Sequence, residues 1–122
     1  MSLTLGVGVR AAVTPGQLGA AVDASLSRAG VPGSAVSAVA TLDRRAPVLA
    51  PFARARGWPL VPVPPELLAA VVPARPSPRV AALAGVPSVA EAAALAAAGP
   101  GAALILPKQV FPGVTVAIAR AA

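Results

Sequence analysis

The side chains able to do chemistry are few, and most of them are cations. Nine arginines and one lysine stand against four carboxylates, Asp23, Asp43, Glu66 and Glu91, and the 122 residues include neither histidine nor cysteine. Zinc-finger sites, thiol nucleophiles and Ser-His-Asp triads are therefore excluded, and no resident metal or cofactor is expected. What remains is anion recognition. Arg10, Arg44, Arg45 and Lys108 fall at or near the ends of apolar runs, where they could converge on one rim as a site for carboxylates, arginine supplying a bidentate fork and lysine a point charge. One exposed ion pair contributes only about 0.2–1 kcal/mol. Such a rim thus suits a large ligand with many carboxylates better than a small monoanion; the alternative is ordinary solvated charge.

The carboxylates are weak candidates for acid–base work. Asp43 sits between Leu42 and Arg44, where it could activate water or simply pair with a neighbouring guanidinium. Glu91 lies three residues after Ser88, the spacing of a capping box, so capping competes with catalysis. Asp23 is assigned to the exposed side of a helix, and Glu66 to a helix start where the macrodipole favours an acid. The run Gly6-Val7-Gly8-Val9-Arg10-Ala11 partly matches a dinucleotide fingerprint. In that fingerprint, however, the helix opens inside the glycine motif; here the helix start comes several residues later. The glycines are read instead as positions of close backbone approach.

The elements that must place these residues follow from local signals. Residues 3–9 alternate as a first strand. Thr14-Pro15-Gly16-Gln17 is a capping box with proline at the first helical position, and Leu18, Val22, Leu26 and Ala29 then share a face until Gly30. Residues 34–42 form a second strand, 47–56 a short helix with Trp58 over its end, and 60–63 a third strand whose Pro62 argues for a sheet edge. A two-turn helix spans 65–72, and the proline-stiffened stretch 73–78, flanked by Arg75 and Arg79, is the candidate partner-facing loop. Ser88 opens an alanine-rich helix to Ala98; strands over 102–106 and 114–119 close the chain as an antiparallel pair joined through 107–113. This order predicts one domain over 1–122, an α/β fold with a three-layer α/β/α sandwich on a mixed, mostly parallel five-stranded sheet ending in an antiparallel hairpin. In such sheets ligands bind beyond the carboxyl ends of parallel strands. The ends in question are Arg10, the segment 41–45 and Lys108.

Composition sets the surroundings. A net charge of +6 favours an anionic partner, but the basic residues are scattered singly with two Phe, one Trp and no Tyr to interleave, so nucleic acid is not expected. Mean hydropathy is +0.79, yet the most apolar stretch, 80–107, is broken by Pro87, Glu91 and Gly99-Pro100-Gly101 and is read as buried rather than membrane-spanning. The absence of cysteine and of a basic, cleavable N-terminal signal points to the cytoplasm. Self-association is left open.

Four segments resemble a known family, the stand-alone CobE proteins and the C-terminal domain of CbiG, both of cobalamin biosynthesis. They are Leu5-Gly6-Val7-Gly8-Val9-Arg10, Val39-Ala40-Thr41-Leu42-Asp43-Arg44, the block 85–95 containing Ser88-Val89-Ala90-Glu91, and Leu106-Pro107-Lys108 leading into Val114-Thr115-Val116-Ala117-Ile118-Ala119. Family members commonly carry Cys-Arg-Arg where this chain has Val9-Arg10-Ala11; Arg45 is placed to supply the missing charge. The resemblance implies handling of a corrin-ring (precorrin) intermediate, a macrocycle bearing acetate and propionate carboxylates. Joined to the strand-end reading, it assigns Arg10, Arg44 and Lys108 as anion contacts, Gly6 and Gly8 as close-approach positions, and Thr41, Asp43, Ser88 and Thr115 as hydrogen-bonding groups. An accessory binding module is the expected role. The alternatives are a precorrin δ-lactone hydrolase using Asp43 or Glu91, and a docking partner for corrin-pathway enzymes.

Overall fold

Two strands with the same alternation and opposite directions make the centre of the sheet. In β1 (Leu3–Val9) Leu3, Leu5 and Val7 are fully buried toward one side, and Thr4, Gly6 and Gly8 face the other. β5 (Val114–Arg120) lies antiparallel to it and matches it residue for residue: Ile118 opposite Leu5, Val116 opposite Val7, Ala117 opposite Gly6 and Thr115 opposite Gly8. One face of the sheet is thus large and aliphatic. The other is made of glycine, alanine and threonine.

The computed structural model describes residues 2–70 and 88–122, and within them the elements run β1, α1 (Pro15–Ala29), β2 (Val36–Leu42), α2 (Ala46–Arg56), β3 (Leu60–Val63), α3 (Pro65–Ala70), α4 (Val89–Ala98), β4 (Ala103–Phe111) and β5. The sheet order is β3-β2-β1-β5-β4, with β1, β2 and β3 mutually parallel and β5 antiparallel to both neighbours. Four strands therefore point one way and β5 the other, the mixed, mostly parallel sheet expected from the order of elements. Pro62 of β3 falls on an edge strand, where its missing N–H leaves no ladder bond unmade.

α1 and α2 cover the aliphatic face. Leu18, Val22 and Leu26 of α1 and Leu49 of α2 join Leu3, Leu5, Val7, Val116 and Ile118 in the main core. α1 starts where its sequence says it should: Thr14 Oγ1 accepts from the Gln17 N–H at 3.1 Å, Gln17 Oε1 accepts from the Thr14 N–H at 2.9 Å, and Gly30 closes the helix at φ 69°. Trp58 packs over the end of α2 as anticipated, edge-on to Phe52 at 6.0 Å, its indole N–H donating to the Gly33 carbonyl at 3.2 Å. Asp23 is less idle than its exposed position suggested, because both its oxygens accept from Arg56 of α2 at 2.9 and 3.2 Å. With the carboxylate well exposed, this pair is worth about 0.2–1 kcal/mol.

α3 and α4 cover the other face through Ala93, Ala96, Ala97 and Leu68, packed on Ala40 and Val63. Small residues let α4 settle almost onto the backbone of β1. A Cβ on Gly6 would collide with the Ala90 carbonyl oxygen and would stand 2.7 Å from the Ala94 nitrogen and 2.8 Å from its Cβ. Gly6 is required by packing.

Two expected boundaries move by two residues or more. β2 begins at Val36, because the three residues before it turn as a 3₁₀ segment, Gly33–Ala35. β4 does not stop at Leu106; it continues through Pro107 and Lys108 to Phe111, leaving only Pro112 and Gly113 for the turn. Register slips between Leu104 and Leu106 and again between Leu106 and Gln109. Bulges on an edge strand accommodate a proline that a regular ladder would reject, which is why Pro107 reads as a loop and folds as a strand. Residues 71–72 of the expected third helix, the 73–78 loop with Arg75 and Arg79, and the start of the 85–95 block lie outside the described residues. Among those described, no helix is long and apolar enough to cross a membrane.

Candidate functional site

A cleft of about 320 Å³ opens beyond the carboxyl ends of β1 and β2. This is where the sheet changes direction: from β1 the chain steps by way of α1 to β2 and then β3 on one side, and after α4 it fills the other side with β4 and β5. Such a reversal leaves a crevice between diverging connections.

Three arginines line this crevice. Arg10 follows β1 directly, and its backbone N–H donates to the Gly113 carbonyl at 3.1 Å, fastening the exit of β1 to the β4–β5 turn. The Val13 N–H then donates to the Arg10 carbonyl at 3.1 Å and closes a turn. Arg44 and Arg45 ride on the single 3₁₀ turn Asp43–Arg45 between β2 and α2. Thr41, fully buried at the end of β2, donates its hydroxyl to the Val7 carbonyl at 2.6 Å and holds the two strand ends together. It also lines the cleft. The fourth wall comes from α4, whose first residue, Val89, lies over Gly8.

No carboxylate opposes these cations. All four lie among the described residues, and none lines the cleft. Asp23 pairs with Arg56, Asp43 is exposed on the turn that carries the two arginines, and Glu66 is exposed on α3. Glu91 completes the capping box: the Ser88 hydroxyl accepts from the Glu91 N–H at 3.1 Å, and Glu91 Oε1 accepts from the Ser88 N–H at 3.3 Å. Its other oxygen accepts from the Lys108 backbone N–H at 3.2 Å. One carboxylate thus joins the start of α4 to the irregular part of β4. Uncompensated positive charge at the mouth of a cleft attracts anions more strongly than the same charge on a flat surface.

Of the residues singled out from sequence, Gly8, Arg10, Thr41, Arg44 and Thr115 meet at this cleft, together with Arg45. Asp43, Ser88 and Lys108 do not line it, and neither does Gly6, which lies beneath α4. Lys108 was placed at the end of a strand, but β4 runs on past it, so it stands mid-strand and exposed. The glycine motif does not open a helix, since α1 begins only at Pro15 and the helix start at the cleft is that of α4. Val89, Val110 and Phe111 also line the cleft and were not anticipated. Their signal in the sequence is faint: a valine directly after an N-cap serine, and two apolar residues directly before Pro112-Gly113. Among the described residues no group of three or more acidic side chains lies close enough together to hold a metal ion.

The comparisons with known proteins agree with one another. The family model described as "Cobalamin synthesis G C-terminus" matches residues 3–119. Among solved structures, a cobalamin biosynthesis protein, chiG, from Agrobacterium tumefaciens strain C58 is similar at 38% identity over 98% of both chains, with a TM-score of 0.81. CobE, described as a protein from the cobalamin (vitamin B12) biosynthetic pathway, is similar at 31% identity over 98% of this chain and 90% of its own, with a TM-score of 0.82. A cobalamin biosynthesis protein G homolog from Sulfolobus solfataricus shares the fold at 21% identity and a TM-score of 0.77, this chain covering 36% of its length. No curated protein sequence matches. Matched by the family model from β1 to β5 and alike along its length to two proteins of one pathway, the chain belongs to the CbiG C-terminal/CobE family of cobalamin biosynthesis proteins.

Proposed function

We propose that this chain binds a polycarboxylate corrin-ring intermediate of cobalamin biosynthesis at the strand-end cleft and acts as an accessory module that holds it. The observation that carries the reading is the three-arginine rim of Arg10, Arg44 and Arg45 around a cleft that no carboxylate lines. A ligand with one carboxylate would gain little there, because each exposed pair contributes about 0.2–1 kcal/mol. A macrocycle edged with acetate and propionate groups can engage all three cations at once. At about 320 Å³ the cleft is at the small end of ligand sites, so it receives an edge of the ring and its carboxylate arms rather than the whole macrocycle.

The hydrolytic alternative lacks a base in the right place. Asp43 is exposed outside the cleft and Glu91 is committed to Ser88 and Lys108. The docking role proposed for the 73–78 loop concerns residues outside those described. A cytoplasmic setting is part of the same proposal, supported by a chain with no cysteine.

The test is a UV-visible titration of the purified protein with a metal-free corrin polycarboxylic acid at low and high salt. A saturable shift of the corrin absorption is expected, weakening as salt rises and lost in the triple variant Arg10→Ala/Arg44→Ala/Arg45→Ala. Absence of a shift, or a shift untouched by the triple variant, would defeat the proposal.

A further inference from the structure

We infer that the cleft offers apolar contacts beside its cationic rim, and that Val110 and Val89 form an apolar platform that recognises the corrin ring itself rather than its carboxylates. The inference rests on the proposed corrin-binding role of the same cleft.

The arrangement follows from the sheet. Gly8, Thr115 and Val110 are register partners across β1, β5 and β4, so they form one row on the face covered by α4. Val89 stands over the glycine end of that row, its Cβ 3.9 Å from where a Gly8 Cβ would be. Arg44 and Arg45 lie beyond β2, at the opposite end of the crevice from β4. From β2 to β4 is three strand spacings, about 14 Å. Arg44 and Arg45 therefore lie at the β2 end of the crevice and Val110 at the β4 end, with Val89 over β1 and Arg10 bonded to the β4–β5 turn between them.

The hydrocarbon is exposed. Val110 is 72% and Val89 41% accessible, and they are two of only four large hydrophobic residues left exposed among those described. Single exposed aliphatic side chains are common on protein surfaces, but two that line one charged cleft point to a ligand with both characters. β4 also holds Val110 in place. The next residue, Phe111, also lines the cleft, and its ring packs against the main core with the Arg28 guanidinium 5.1 Å over it; Arg28 donates to Gln109 Oε1 at 2.7 Å. With the residues on both sides secured by Arg28, Val110 is presented at a fixed height above the row. A flexible acyclic polycarboxylate would use the arginines and ignore the valines; a macrocycle uses both.

The experiment compares two ligands on three proteins: wild type, Val89→Thr/Val110→Thr, which preserves side-chain shape, and Arg44→Ala. Affinity for a metal-free corrin polycarboxylic acid is measured by absorbance across a salt series, and citrate is measured as a competitor. The double-threonine protein is expected to bind the corrin acid about tenfold more weakly, with its salt slope and its citrate competition unchanged. Arg44→Ala is expected to weaken both ligands and flatten the salt slope. Val110→Ala, with its far-UV spectrum as a folding control, provides a second reading should the double variant fold poorly, and a several-fold loss of corrin affinity is expected from it. Wild-type corrin affinity in the valine variants, with Arg44→Ala still weakened, would overturn the platform and leave the corrin-binding role standing. Lack of saturable binding to wild type would overturn both.

Discussion

The two faces of the sheet are built on opposite plans. Under α1 and α2, leucine, isoleucine and valine side chains interdigitate and the helices stand off at the distance those side chains impose. Under α4 the strand offers glycine, alanine and threonine, and the helix answers with Ala90, Ala93 and Ala94, so backbone approaches backbone. The first face is held by atoms that are present. The second is held by the absence of atoms that would keep the layers apart, and its sensitivities are therefore reversed: removing atoms harms one face, and adding them harms the other.

Leu5→Ala, on the aliphatic face at full burial, should be the most damaging single change, lowering unfolding free energy by about 2–5 kcal/mol through lost transfer energy and a residual cavity. A denaturant midpoint near that of the parent would show that the main core collapses around the gap. Gly6→Ala adds one methyl group to the opposite face and should cost about 3 kcal/mol, at the upper end for overpacking, because the obstacle is backbone that cannot rotate aside. If its thermal midpoint matched wild type, α4 would have to be free to lift, and the close-contact account of that face would fail. Ser88→Ala removes the cap acceptor of α4 and should cost about 1 kcal/mol, measurable in the same melts. Gly8→Ala sharpens the comparison most. It lies two residues from Gly6 on the same face, yet an added Cβ would meet nothing nearer than 3.9 Å. Its stability should change by no more than about 0.5 kcal/mol, while corrin-acid affinity should fall because the methyl group intrudes on the cleft floor. One glycine is kept for the helix, the other for the ligand.

This distinction was not available from the sequence, where Gly6 and Gly8 form a single motif. Their difference depends on how far α4 extends over β1, and that is fixed by a helix more than eighty positions away. Signals that close within a turn of chain were legible: both capping boxes, the Gly30 stop and the placement of Pro62 on an edge. So was the gathering of Arg10 with Arg44 and Arg45, since parallel strands deliver their ends to one side. Lys108 was misplaced because a proline inside a strand gives the same local signal as a proline ending one, and only bulged pairing with β5 tells the cases apart. Asp23 found its partner on a separate helix. Val89 and Val110 escaped notice because a valine carries no mark of exposure; only the assembled sheet shows what they lack.

The position of β1 also has consequences for biosynthesis. β2, one of its neighbours, is made soon after it, but the other, β5, holds the last strand residues described, with Arg120 opposite Leu3. As the ribosome releases the chain, the central strand must wait with one hydrogen-bonding edge open and its leucines only half covered. Pairing over so long a separation is slow to form, and the waiting species is prone to aggregation. Loss of β5 should therefore appear in cells as insoluble protein rather than as a weakened fold, and slower translation before residue 114 should lower the soluble yield of the intact chain.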